Sequence, residues 1–256
     1  MTRVLGVDAC KAGWVGVLRT DGKVTAFVAS TIEQLVKQAE QSGSATAGGD
    51  GGSATAGGDR LGDGFDPDPP EPLDVVAIDM PIGLPDTAPR KADLLARAAI
   101  GRLSSSVFTT PVRAALQAPT HSDAVLINRE LTGQGLSIQA YGLRAKLFEV
   151  DEWVGRANTR VVEVHPEVSF AHLAGAPLTV RKSTWAGAER RRALLADAGI
   201  TLAGDLGLAG LAVGVDDVLD AGAAAWSALR VAQGEAVCLP NPPEVFADGW
   251  PAAIWI

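Results

Sequence analysis

The sequence predicts an α/β fold in which a mixed β-sheet is flanked by helices on both faces. Three features of the chain lead to this prediction. Residues 4–29 contain three short apolar segments joined by tight turns, as in a run of adjacent strands. The run VVAI at 75–78 is continuously apolar, which is typical of a strand buried on both faces. Segments with helical spacing of apolar residues alternate with the strands that follow.

The first 42 residues are expected to form three strands and one helix. The strands are predicted at 4–9, 13–19 and 23–29. Asp21-Gly22 is a hairpin signal between the second and the third strand. Thr31 is suited to the N-cap of a helix over TIEQLVKQAE, and Gln34 follows three residues later as in a capping box.

Residues 43–73 differ in composition from the rest of the chain. The segment GSATAGGDG at 43–51 is followed by the near-copy GSATAGGDR at 52–60, and then by a run rich in Pro and Asp. Such a composition buries too little apolar surface to fold by itself. We therefore expect a single domain over residues 1–256 with a flexible insertion at about 43–73.

The later part of the chain is predicted to be mainly helical. Helical patterns lie at 90–100, 121–133, 137–154, after 165 to about 175, 187–199 and 215–233. A strand at 160–164 brings the predicted sheet to five strands. The C-terminal segments AVCLP and AAIWI are expected to form one or two edge strands. An exposed edge at AAIWI would suggest pairing with a second copy in a homodimer.

The composition is that of a globular protein with a large core. The chain has 256 residues, of which 47% are hydrophobic and 20% charged. It begins directly with a predicted strand, and its two cysteines are too few for a disulfide framework. No apolar run approaches the ~20 residues that a membrane span needs. These features predict a cytoplasmic protein that does not enter a membrane.

The distribution of charge leaves a nucleic-acid partner open. The net charge of the whole chain, −8, argues against a nucleic-acid partner. However, residues 90–113 and 181–192 each carry five basic residues and one acidic residue. Two such segments beside an acidic cluster could hold a phosphate backbone, although they could equally be solvated helix faces.

Acidic residues occur at the ends of predicted strands and on the last long helix. They are Asp8, Asp79, Glu163, Asp216, Asp217 and Asp220. Asp217 and Asp220 are three residues apart and share one helical face. Clustered carboxylates repel one another, and Mg²⁺ or Mn²⁺ would relieve that repulsion. Two such ions would suit phosphodiester hydrolysis. Taken singly, Asp8 could be a turn residue whose hydrogen bonds are satisfied. Asp217 and Asp220 could be solvated acids at the start of a helix, where the helix dipole favours negative charge.

Several stretches resemble the domain-of-unknown-function 429 family of predicted ribonuclease-H-like nucleases. The main ones are GVDACKAGWVGV, AIDMPIGLP, GRLSSSVF, SIQAYGLRAKLFEVDEWV, VVEVHPEVSFAHLAG and DDVLDAGAAAWSALR. The resemblance implies a ribonuclease-H-like fold shared with Holliday-junction resolvases. It also implies a catalytic metal site formed by Asp8, Asp79, Asp217 and Asp220. Those resolvases have Glu where this chain has Asp79, which leaves the metal geometry open.

The segment EVHPE and several basic residues are further candidates for the site. Glu163 is a candidate metal ligand or supporting acid, and His165 a candidate general base or phosphate contact. His165 could instead be a core histidine bonded to the backbone. The candidate phosphate contacts are Lys11, Arg90, Arg102, Arg113 and Lys182.

Three functions are consistent with this sequence. The first is a metal-dependent nuclease that hydrolyses phosphodiesters with Mg²⁺ or Mn²⁺. The second is a protein that keeps the fold as a non-catalytic interaction module, which the net charge favours. The third is an ATP-dependent phosphotransferase of the actin and sugar-kinase fold. Its first hairpin usually carries Asp-x-Gly, and Asp8-Ala9-Cys10 lacks that glycine.

Overall fold

A single mixed sheet organises the part of the chain that the structure, a computed structural model, describes, namely residues 1–42 and 70–256. Its strands are β1 (Arg3–Cys10), β2 (Gly13–Thr20), β3 (Lys23–Ala29), β4 (Val75–Ile78), β5 (Arg160–Glu163), β6 (Cys238–Val245) and β7 (Pro251–Trp255). The strand order is β3-β2-β1-β4-β5-β7-β6. The first three strands form an antiparallel meander, and β4 and β5 continue the sheet parallel to β1.

Helices cover both faces of the sheet. They are α1 (Ile32–Gln41), α2 (Lys91–Ile100), α3 (Arg113–Leu116), α4 (His121–Thr132), α5 (Ile138–Gly142), α6 (Arg144–Val154), α7 (Pro166–Ala174), α8 (Trp185–Asp197) and α9 (Val215–Gln233). A 3₁₀ helix over Gly101–Ser106 follows α2. The α/β class and the helices on both faces agree with the sequence prediction. The helix predicted at 137–154 is divided into two at Leu143. Within the described residues, no helix combines the length and apolarity that crossing a bilayer requires.

The sheet has seven strands among the described residues, so the predicted number of five is wrong. The C-terminal segment forms a strand between two others, because β7 pairs with β5 at Glu163 and Ile254 and also pairs with β6. AAIWI is therefore an internal strand and offers no free edge to a second copy. The edge is β6, whose sequence CLPNPPEV contains three prolines that cannot donate backbone hydrogen bonds.

Most of the predicted insertion at 43–73 lies outside the described residues. Its last four residues are described, and they contact the domain. The backbone N–H of Glu71 donates to the carbonyl of Glu40 at 3.1 Å, and the Glu71 carboxylate pairs with Arg3. Leu73 is buried beside β1 and α1. Residues 70–73 thus pack against the domain, and the predicted flexible segment at 43–69 lies outside the described residues.

The long helix α9 lies directly on β1 because both carry small residues where they meet. A Cβ atom at Gly6 would lie only 1.9 Å from the backbone nitrogen of Ala225 and 2.2 Å from the carbonyl oxygen of Ala221. The strand and the helix backbones are thus in contact. The opposite side chains of β1, Leu5 and Val7, pack in the separate core under α1 and α6. This alternation directs the even-numbered side chains of β1 toward α9.

Candidate metal centre

Three carboxylates meet where the carboxyl ends of β1 and β4 face α9. Asp8 lies near the end of β1, Asp79 directly follows β4, and Asp220 belongs to α9. One oxygen from each carboxylate lies within 4.8 Å of those of the other two. Side-chain alternation explains the grouping, because Val4 of β1 and Ala77 of β4 pack in the same cluster as α9. Asp8 and Asp79 continue these two faces by an even number of residues.

Burial raises the pKa of all three carboxyl groups. Burial is the main cause for Asp8, and the charges of Asp79 and Asp220 add to it. The pKa of Asp79 rises through its own burial and then through the charge of Asp220. Burial also raises the pKa of Asp220 to about 6, against the opposing effect of Lys182. The cluster therefore favours the uptake of protons or of a cation.

Lys182 supplies a positive charge to this cluster from the loop between α7 and α8. Its ammonium donates a hydrogen bond to Oδ2 of Asp220 and lies 3.9 Å from Oδ2 of Asp216. Burial opposes the charge on Lys182, but the neighbouring carboxylates outweigh that effect and raise its pKa. Its basic character makes Lys182 a candidate phosphate contact in the sequence. The structure places it within the acid cluster itself, where it balances part of the negative charge.

A buried ion pair holds the loop that carries Lys182. Arg191 of α8 is fully buried and donates to both carboxylate oxygens of Glu167 in α7, each at 2.7 Å. The same guanidinium donates to the carbonyl of Val180 at 3.2 Å and to that of Gly187 at 3.0 Å. Sequence reasoning missed this pair. Arg191 lies in the run RRR, whose local pattern does not distinguish a buried arginine from two exposed ones.

Asp217, the fourth expected acid, is not a member of the three-carboxylate cluster. Its Oδ2 accepts a hydrogen bond of 3.3 Å from the backbone N–H of Gly214, the N-cap residue of α9. Its pKa is raised by burial and by the charge of Asp216. Asp217 lies nearly one turn closer to the helix start than Asp220, and the cap engages its carboxylate there.

Glu163 and Arg90 form a buried ion pair instead of contributing to the cluster. Val162 and Val164 face α9, so Glu163 between them points to the other side of the sheet. Its carboxylate pairs with Arg90 and accepts from the backbone N–H of Ile82 at 2.8 Å. Arg90 is fully buried. The structure thus argues against Arg90 as a phosphate contact and assigns Glu163 a role in the core.

His165 lies at the start of α7 with its ring partly enclosed. Burial lowers its pKa to about 4, and the nearby charge of Lys182 acts in the same direction. Within the described part of the chain its Nδ1 atom is buried and has no hydrogen-bond partner. The ring is therefore neutral at pH 7. A neutral imidazole can accept a proton but offers no positive charge to a phosphate.

The other three basic candidates differ in their surroundings. Arg113 donates to both carboxylate oxygens of Asp151 at 2.7 and 2.9 Å and to Asp248 at 3.0 Å. These bonds connect α3 with α6 and with the turn before β7, so Arg113 has a structural role in the fold. Lys11 is exposed in the turn after β1, and Arg102 is exposed in the 3₁₀ helix. Both are positioned to meet solvent or a ligand.

Comparison with known proteins identifies the family of the chain. A family model described as a protein of unknown function (DUF429) matches residues 6–245. Because this match covers most of the sequence, the chain belongs to that family. No curated protein and no solved structure matches the chain.

Proposed function

We propose that this protein is a metal-dependent nuclease of the ribonuclease-H-like fold. The observation that carries the proposal is the meeting of Asp8, Asp79 and Asp220 within 4.8 Å. These acids, on the first strand, after the fourth strand and on a late helix, are three of the four that the resemblance implies; the fourth, Asp217, lies outside the cluster. The antiparallel meander followed by two parallel strands is compatible with that fold.

The residues of the cluster fit a divalent cation. All three donors are carboxylate oxygens, which are the ligands that Mg²⁺ and Mn²⁺ prefer. Among the described residues, Oδ1 of Asp220 is buried and has no hydrogen-bond partner. A buried acceptor without a donor is costly, and a cation would satisfy it. Asp8, Asp79 and Asp220 would therefore hold the ion.

The chain's own groups have distinct roles in this proposal. When bound, divalent ions would lower the pKa of a water nucleophile and stabilise the leaving oxygen of a phosphodiester. Asp8, Asp79 and Asp220 supply the negative charge that retains the ions. Lys182 presents a cation beside them and is suited to a non-bridging phosphate oxygen. A two-ion site would need a further carboxylate, and Asp217 could provide it only by leaving its helix cap.

Cleavage of a panel of labelled nucleic acids tests the proposal. The panel contains single-stranded DNA and RNA, duplex, hybrid and four-way junction, each with Mg²⁺, with Mn²⁺ and with EDTA. We expect metal-dependent cleavage by the wild type and its loss in Asp8→Asn, because asparagine has the same shape but cannot balance a cation. Asp197→Asn, at an exposed position near the end of α8, is the matched control. Absence of cleavage on every substrate by folded wild type, or full activity of Asp8→Asn, would overturn the proposal.

A further inference from the structure

A cleft adjoins the acid cluster on the side of α8. It has a volume of about 460 Å³ and is lined by residues from the start of α8, from the preceding loop and from the start of α9. Lys182 lines the cleft and also bonds to Asp220, so Lys182 lies between the cleft and the cluster. Its volume lies within the range of about 300–1,000 Å³ that is typical of sites for small ligands.

The cleft exposes large apolar side chains beside a charged site. Trp185 is 80% exposed and Val215 is 69% exposed. Leu219, which is buried, forms part of the same lining. An exposed tryptophan is informative where it joins other apolar groups in a concave surface, because such surfaces usually bind a ligand or a partner. A flat indole beside Lys182 is suited to a planar ring that is attached to a phosphate.

The backbone position of Trp185 is fixed by hydrogen bonds where the loop between α7 and α8 meets the start of α8. The hydroxyl of Thr184 accepts from the backbone N–H of Gly187 at 3.1 Å and donates to the carbonyl of Arg181 at 2.8 Å. A Cβ atom at Gly187 would lie 1.9 Å from that same carbonyl oxygen. Trp185, the first residue of α8, is therefore presented from a closely packed segment.

The charges around the cleft are mixed, with an excess of positive charge on its α8 side. Arg192 is engaged with Glu189 by bonds of 3.0 and 2.9 Å, and these two charges balance. Lys182 lines the cleft, and Arg181, its neighbour in the loop, is exposed. The acidic side chain of Asp216 lies at the end next to the cluster. The positive charge at the start of α8 favours a phosphate at that end of the cleft.

We propose that Trp185 is a stacking platform for an unpaired base of a nucleic-acid strand. The inference rests on the proposed nuclease function and names its substrate class as single-stranded or locally unpaired nucleic acid. The base lies in the cleft against Trp185 and Val215, and an adjacent phosphate reaches Lys182 and the acid cluster. An unpaired base is required because, in a duplex, both faces of an internal base are already stacked.

Binding measured in EDTA tests the platform without cleavage. The probes are a fluorescent 15-nucleotide single strand and a blunt duplex of the same sequence. We expect Trp185→Ala to weaken single-strand binding roughly tenfold or more and Trp185→Phe to retain most of it, since stacking on an aromatic ring contributes strongly per base. Leu126→Ala removes another exposed apolar side chain, on α4, and should have no effect. Thermal unfolding should show that every variant is folded.

The results separate the platform from the nuclease. If Trp185→Ala binds the single strand as tightly as the wild type, or if the wild type binds no single strand, the platform is excluded. Metal-dependent cleavage could still be present in that case. If binding depends on Trp185 but no substrate is cleaved with any metal, the platform is supported and the nuclease proposal fails. In an active enzyme, loss of the platform should raise KM for single strands more than it lowers kcat.

Discussion

At the scale of single residues, Asp220 is the least exposed carboxylate of the cluster. It is 2% exposed, and Asp8, Asp79 and Glu167 face it with negative charge while Lys182 and Arg191 face it with positive charge. Burial is the largest influence on its pKa, and the result is a value of about 6. The carboxyl group is therefore partly protonated near neutral pH when no metal is bound.

This pKa predicts how the stability of the metal-free protein depends on pH. A carboxyl whose pKa is higher in the folded than in the unfolded state binds its proton more tightly when folded. Its stabilising contribution is complete below the unfolded pKa, which is about 4. The contribution is lost as pH rises through the folded pKa, about 6 for Asp220. The raised pKa values of Asp8 and Asp79 act in the same direction.

We therefore expect the free energy of unfolding in EDTA to fall between pH 4 and pH 7 in the wild type. In Asp220→Asn the fall should be smaller by on the order of 2 kcal/mol, since one pKa unit corresponds to about 1.4 kcal/mol. Urea unfolding at several pH values measures it, with Asp197→Asn as control. Equal slopes in wild type and Asp220→Asn would show that Asp220 does not titrate in this way.

Lys182 allows a second prediction at this scale, because its ammonium pairs with a carboxylate that would also hold the metal. Lys182→Met keeps the length of the side chain and removes its charge. We expect the metal-free variant to unfold at lower temperature at pH 7.5 and to bind Mn²⁺ roughly tenfold more tightly or more, since no ammonium competes for Asp220. Lys37→Met changes an exposed lysine on α1 and is the control. Weaker Mn²⁺ binding by Lys182→Met would contradict the competition.

The sequence was informative about single acids and less so about their partners. Alternation along β1 and β4 is a local property, so Asp8 and Asp79 could be assigned to one end of the sheet. The side of the sheet to which the Glu163 side chain points depends on which face of β5 meets α9. Only the assembled sheet reveals which face that is. The sequence makes Arg90 a candidate phosphate contact, because its ion pair with Glu163 joins residues 73 positions apart and leaves no local pattern.

At the scale of secondary-structure elements, the contact between β1 and α9 determines the distance between Asp8 and Asp220. The helix can approach the strand because Gly6 has no side chain and faces Ala221 and Ala225. The helix sequence DAGAAAWSA shows small residues that are compatible with close packing. Which strand it packs on depends on the tertiary fold and could not be predicted from that pattern.

Gly6→Ala tests this contact. The added methyl group would overlap the backbone of α9, so we expect a loss of about 3 kcal/mol or more in the free energy of unfolding. To relieve the overlap, α9 would move away from β1 and carry Asp220 away from Asp8, so Mn²⁺ binding should weaken. Urea unfolding and a Mn²⁺ titration measure the two effects.

Gly142→Ala is the matched control for this substitution. Gly142 lies in the short helix α5, and a Cβ atom there would have no neighbour within 4 Å among the described residues. Its free energy of unfolding should be unchanged or slightly higher, because alanine favours a helix over glycine. If Gly6→Ala is as stable as Gly142→Ala, the close packing of α9 on β1 does not hold.

At the scale of the whole molecule, charged groups are arranged on the two sides of the central sheet. The Asp8, Asp79 and Asp220 cluster with Lys182 lies on the side of α9, and the Glu163 and Arg90 pair lies across β5. Arg90 also lies 3.7 Å from the buried carboxylate of Asp93, so that group has two carboxylates for one guanidinium. The cluster has three carboxylates and one ammonium, which is the larger excess of negative charge and is on the side on which a cation would bind.

The general architecture could be predicted because it follows from local patterns. Strand alternation, helical spacing and turn residues indicated the meander, the buried strand and most of the helices. The seventh strand could not be placed in the same way, because β7 pairs with β5 across about 90 residues. Long-range strand pairing of this kind leaves little trace in the local sequence, and AAIWI looked like an edge for that reason.

We expect the three clustered carboxylates to form a divalent-cation site, and a Mn²⁺ titration by calorimetry at pH 7.5 measures whether they do. The wild type should bind Mn²⁺ with a stoichiometry of one or two. Asp8→Asn and Asp220→Asn should each lose that binding, while Asp197→Asn retains it. One ion per chain would indicate that the three carboxylates suffice, and two would indicate that Asp217 leaves its cap. Absence of binding by the folded wild type, or unchanged binding by Asp8→Asn and Asp220→Asn, would contradict this expectation.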